Sequence, residues 1–240
     1  MRSIIAIGLV LGLTLAGCSD DTPDPTVSET AIQTTSPAVT TGPSTAPTGS
    51  EFPGEPFGRA IANAAYLVVG VAHDDTLNVR SGPGVDFGIV NELDPTGSAT
   101  ATGDDRLLDS GLWIEVTADG VTGWANYAFL ALAGGTFDVT SEIITANGGE
   151  APQSDDMTTL AQMVAQLRAS TEPPSDIQLV VAPTEGDLWE VTVDVIGLGD
   201  DAQKGERLHV FAEPITEGYR VKTVEMTVLC DRGVDGESCV

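Results

Sequence analysis

Apolar and polar residues alternate in Leu77-Asn78-Val79-Arg80, placing Leu77 and Val79 on one face and Asn78 and Arg80 on the other, the period-two pattern of a half-buried strand. Ser81-Gly82-Pro83-Gly84 then turns the chain out of that strand into a surface loop. The same pattern predicts short strands over residues 66–72, 88–93, 98–102, 113–117 and 123–126, after an irregular or helical lead-in from residue 57 to 65. Asp119-Gly120, between two apolar runs, is the strongest hairpin signal in the chain and pairs the strands that carry Trp113 and Trp124. Short strands separated by Gly, Pro and Asp suit a small closed barrel, and both tryptophans are expected to fill its core.

Past Ala133-Gly134-Gly135, which reads as a boundary, the pattern changes. A strand is predicted over 136–146. Met157, Leu160, Val164 and Leu167 recur at helical spacing, so a helix capped by Ser154 or Asp155 runs to about residue 169, before Pro173-Pro174. Strands over 177–182, 189–198, 206–212 and 219–230, with turns at Glu185-Gly186-Asp187 and Glu217-Gly218, give an antiparallel meander on one helix. That α+β order is also seen in cystatin-like folds, a likeness of topology that carries no function.

Leu77-Asn78-Val79-Arg80-Ser81-Gly82-Pro83, then Trp113-Ile114-Glu115-Val116, then Gly123-Trp124 with Leu130 following, resembles the bacterial SH3-like domain family over about residues 66–132. The departure is Gly103 to Gly111, a longer loop than the family carries. The resemblance implies a small all-β SH3-like barrel, here followed by the α+β domain. It also implies a wall-directed binding module, with a groove beside the loop after the first conserved strand that recognises peptidoglycan or a wall peptide. In this chain the region offers Asn78, Arg80, Asp86, Phe87 and Tyr127. The competing reading of the same residues is that Phe87 and Tyr127 complete the core while Arg80 holds a loop carbonyl.

Met1-Arg2, an apolar run from Ile4 to Leu15 too short to span a bilayer comfortably, and Leu15-Ala16-Gly17-Cys18 describe a signal peptide over residues 1–17. The last four residues resemble a bacterial lipobox, which implies lipidation of Cys18 by diacylglyceryl and a palmitate-type acyl chain, and membrane anchoring outside the cytoplasm. Residues 18–56, rich in Ser, Thr and Pro, read as a disordered tether able to reach roughly 100 Å when extended. The expected domains are therefore the barrel at 57–133 and the α+β domain at 136–240. With Cys18 assigned, Cys230 and Cys239 remain as an even pair in an oxidising compartment and read as a disulfide closing the C-terminal tail.

Charge narrows the partners. Against 36 acidic residues stand 10 basic ones, a net charge of −26 that repels nucleic acid and anionic lipid. Chemistry is scarce as well. No free thiol is left to serve as a nucleophile, and His73 and His209 lack zinc-site spacing. Asp104-Asp105, Asp155-Asp156 and Asp200-Asp201 fall in predicted loops or at a helix start, where acidic residues belong. The expectation is a protein without catalytic residues, metal or cofactor that binds peptidoglycan or a wall peptide; the alternative is a scaffold for envelope proteins with no direct wall contact.

Overall fold

Period-two alternation shapes most of residues 52–240, the part of the chain that the computed structural model describes. The expected signal peptide, Cys18 and nearly all of the expected tether lie outside the described residues. Strands β1 (Ala65–Val68), β2 (Leu77–Arg80), β3 (Ile89–Leu93), β4 (Ser98–Leu108), β5 (Gly111–Ala118) and β6 (Val121–Asn126) lead through a 3-10 turn, Tyr127–Phe129, into β7 (Leu130–Asp138). Helix α1 (Thr140–Ala146), the short β8 (Gln153–Ser154) and helix α2 (Met157–Gln166) come next. Long strands β9 (Asp176–Glu185), β10 (Trp189–Ile196), β11 (Gln203–Ile215) and β12 (Gly218–Cys230) follow, and β13 (Val234–Asp235) with β14 (Ser238–Cys239) form a terminal ribbon.

The main sheet is antiparallel and runs β3-β2-β6-β5-β4-β1-β7-β12-β11-β10-β9, with β8 on β12. Strand β7 is its hub. Tyr66 pairs with Leu132 and Val68 with Leu130 on one edge; on the other, Leu132 pairs with Cys230 and Asp138 with Glu225. The expected boundary at Ala133-Gly134-Gly135 therefore lies inside a strand, and one sheet passes through it unbroken. Long-range packing explains the glycines. A Cβ on Gly134 would sit 3.0 Å from the Glu237 carbonyl and 3.3 Å from Cys230 Sγ, and one on Gly135 would sit 2.7 Å from the Glu237 side chain. The tail closed by the Cys230–Cys239 disulfide lies directly over them.

Two cores sit along this sheet. The barrel core gathers Tyr66, Leu77, Val79, Ile114, Val116, Ala125 and Leu130. In the second, Met157, Leu160, Ala161 and Val164 of α2 and Ile143 of α1 cover Val191, Val193, Leu208, Val210 and Val224. Two helices, not one, therefore face these strands. The cap of α2 is Asp156, whose Oδ1 accepts the Thr159 N–H at 2.8 Å, one residue after the expected position. Within the predicted strand 136–146, the strand stops at Asp138, which accepts the Thr140 N–H and starts α1.

The β5–β6 hairpin turns at Asp119-Gly120 as expected, both at positive φ. The long loop does not remain a loop: β4 and β5 extend to a two-residue turn at Asp109-Ser110. A register shift between Ala101 and Asp105 aims the Asp105 carboxylate at the N-terminal lead-in. Its oxygens accept the N–H groups of Phe57 (2.7 Å), Gly58 (3.0 Å), Arg59 and Ala60 (3.0 Å), while Glu55 pairs with Leu107. Burial pushes the Asp105 carboxyl up, but these four donors outweigh it and hold it below the ordinary carboxylate value.

Replacing Cys230 and Cys239 by alanine together lowers stability by roughly 2 to 3 kcal/mol in urea titrations, because a short closed loop is released in the unfolded chain. Asp105→Asn costs about 2 kcal/mol at neutral pH by leaving buried donors poorly matched. A carboxylate depressed in the folded state stabilises fully above its unfolded value, about pH 4, and loses that contribution as pH falls through its folded value. Urea melts between pH 2 and 6 therefore show an acid limb in the wild type that is shallower in the Asn variant.

Candidate functional site

Strand register divides the barrel residues between two faces. Ile114, Val116 and Ala125 enter the barrel core. Trp113 and Glu115 alternate with them, and the pairs Arg80–Trp124, Glu115–Trp124, Trp113–Asn126 and Arg106–Trp113 place these side chains together on the opposite face. Both tryptophans are buried, Trp113 at 3% and Trp124 at 2% exposure, yet neither belongs to the barrel core cluster. Trp124 takes its cover from elsewhere. Phe52 packs edge-on at 5.4 Å from Trp124 and 6.0 Å from Phe87, and the Arg106 guanidinium lies 5.8 Å from the Trp124 ring.

Beside this aromatic layer opens a groove of about 280 Å³. Its walls come from several segments: Gly70, Val71 and Asp75 to Asn78, then Arg80 and Val85, then Trp113, Asn126 and Phe129. Arg80 shapes the rim. Its Nη1 donates to the carbonyls of Val85 at 3.1 Å and Phe87 at 2.9 Å, and Ser81 N–H closes the loop on the Gly88 carbonyl at 2.8 Å. Inside that loop a Cβ at position 82 would meet the Phe87 ring at 2.4 Å, so glycine is required there. Asn126 accepts the Ala128 N–H through Oδ1 at 2.9 Å and so caps the 3-10 turn that presents Phe129.

The five residues expected to bind a ligand separate here. Asn78 and Arg80 line the groove. Asp86 is exposed on the loop tip outside the lining, and Phe87 is half-buried against Gly82 and Phe52. Tyr127 points the other way. It is buried, donates its hydroxyl to the Asp231 carbonyl, stacks edge-on with Tyr66 at 6.1 Å, and carries Lys204 Nζ 4.1 Å from its ring centre. Burial first, and then the Asp231 carboxylate, push its hydroxyl well above the usual tyrosine value. Burial lowers the Lys204 ammonium, which Asp231 partly restores.

Trp113, Asn126 and Phe129 belong to the groove and were not expected there. Alternation was the available signal, since Trp113 cannot share a face with Ile114. Chemically the lining combines donors, from Arg80, Asn78 and Asn126, with a carboxylate at Asp75 and the exposed apolar rim of Val85 and Phe129. Among the described residues, the Trp113 Nε1–H is a buried donor without a hydrogen-bond partner. Such a lining suits an extended ligand that offers carbonyl or carboxylate oxygens between short aliphatic groups.

Comparison with curated proteins found no match, and comparison with solved structures found none either. Residues 75–131, from just before β2 through the 3-10 turn into β7, match the family model for the bacterial SH3 domain, and most of the groove lining falls within that match.

Proposed function

We propose that this chain is a non-enzymatic lipoprotein of the bacterial cell envelope, anchored outside the cytoplasm through Cys18, whose SH3 domain binds peptidoglycan or a wall peptide in the groove between Asn78 and Phe129. The observation that carries the reading is a donor-lined, apolar-rimmed groove on a bacterial SH3 domain, a class that generally binds cell-wall or protein partners. Peptide stems of the wall supply what that lining complements: carbonyl and carboxylate oxygens spaced by small aliphatic side chains.

One observation favours a second reading, an envelope protein partner without wall contact. Strand β3 ends the sheet and carries Ile89 and Val90 outward at 50% and 43% exposure, an open edge that accepts an added strand. Ligand class separates the two readings.

Arg80 also holds the rim loop, so its removal tests structure and binding together. Phe129 and Asn78 line the groove without those loop bonds and are the cleaner probes. Co-sedimentation with purified, protein-free sacculi is expected to be saturable for the wild type and weakened about tenfold or more by Phe129→Ala or Asn78→Ala, with unchanged melting curves. Wild-type protein that stays in the supernatant at low and high salt overturns wall binding.

A further inference from the structure

We propose that the C-terminal half of the chain positions the groove, with Asp194 and Lys204 as positioning residues for two of its walls; the ligand arm of the test rests on the wall-binding reading above. Neither residue lines the groove. Each instead terminates on backbone atoms of the residues that do, or of their immediate neighbours.

The first wall is the segment from Gly70 to Thr76. Gly70 donates its N–H to Asp194 Oδ2 at 2.9 Å, and His73 donates its N–H to the Leu179 carbonyl at 2.9 Å. Asp194 is fully buried, and Arg207 holds it with two bonds, Nε to Oδ1 at 2.7 Å and Nη2 to Oδ2 at 2.9 Å. The same Nη2 reaches back to the carbonyls of Val68 at 2.7 Å and Pro95 at 3.2 Å. The second wall is the turn that carries Phe129. Lys204 Nζ donates to the carbonyls of Tyr127 at 2.8 Å and Leu130 at 2.6 Å, on either side of that residue, and pairs with Asp231 at 3.3 Å. Val69 N–H donates to the Phe129 carbonyl at 3.0 Å and joins the two walls.

Within itself the first wall has little to hold it. Between Gly70 and Thr76 the bonds are Asp75 N–H to the Ala72 carbonyl at 3.0 Å and Thr76 N–H to Asp75 Oδ1 at 2.8 Å. Its shape is therefore set from β9, β10 and β11. Charge-assisted bonds in a dry setting are directional, and removing one partner leaves buried backbone groups unpaired. A ligand that touches both Phe129 and the segment with Asp75 and Thr76 needs both walls fixed before it arrives.

The test compares Lys204→Met, which keeps the length and loses the donors, with Lys204→Arg, Asp194→Asn and a control, Arg168→Gln. The control removes the Arg168 pairs with Glu206 and Glu142, which join β11 to the helices and touch no groove residue. Amide hydrogen exchange of the whole protein reads the walls directly, and sacculus binding reads the ligand. Expected for Lys204→Met is a melt lowered no more than the control's, exchange about tenfold faster at residues 127–130, and affinity down about tenfold. Asp194→Asn does the same at residues 70–76, and Lys204→Arg recovers most of the Lys204→Met loss. Wild-type exchange in both walls of the Met and Asn variants overturns the proposal, as does the control reproducing their binding loss. If wild-type protein does not sediment with sacculi, wall binding falls, and the exchange pattern alone decides positioning.

Discussion

Strand β7 satisfies one edge of its backbone with β1 and the other with β12, so two segments some 160 residues apart in sequence share a single ladder, from residue 66 to residue 230. Leaving either edge of that strand dry and unpaired would cost a kilocalorie or more for each orphaned group, about 1 to 3 kcal/mol. Everything else at the junction is arranged around this requirement. Val69, Ala131 and Leu229 pack as a small apolar cluster beside the ladder, Arg207 and Asp194 bond across it, and Tyr127 reaches over it to the Asp231 carbonyl. The Gly-Gly pair inside β7 yields room to the disulfide-closed tail.

A barrel this small has an unusual second layer. Trp124, on the face away from its core, lies under Phe52 of the N-terminal lead-in, and Asp105 holds the backbone a few residues further on. Backbone N–H groups of four successive residues have no ladder to join there, and one carboxylate collects them. The extended β4–β5 hairpin is what carries Asp105 into reach. The β4–β5 hairpin thus docks the lead-in that carries Phe52 over Trp124.

Local signals were legible and distant ones were not. The alternation at Leu77–Arg80, the turn at Asp119-Gly120 and the helical spacing of Met157, Leu160 and Val164 each act within a few residues, and each element stands where its pattern placed it. The run 136–146 misleads because Val139, Thr140, Ile143 and Ile144 are β-branched and suit strand or helix; burial of Ile143 under α2's core and the Asp138 bond decide for helix. Half of the groove was equally local: Asn78 and Arg80 follow from period two. Tyr127 was legible as a core residue and packs in the barrel core, but the partner of its hydroxyl, Asp231, lies 104 residues away and was not. The first wall escaped for the same reason, since Gly70 and Thr76 become a site only when Asp194 and Leu179 hold the segment between them.

Electrostatics sets the kind of recognition this groove can perform. The chain carries −26, and around the groove Arg80 is offset by Asp75. Long-range attraction to a polyanionic polymer is therefore unfavourable, and lowering the salt strengthens the repulsion because the Debye length grows from about 8 Å at physiological ionic strength to about 30 Å at 0.01 M. On the proposed wall-binding function, affinity comes from contacts shorter than that screening distance: amide and guanidinium donors meeting carbonyl oxygens, and Phe129 and Val85 covering aliphatic carbons. Short contacts of this kind hold only when the walls keep their spacing, which makes the rigidity supplied by the shared sheet a condition for recognition as well as for folding.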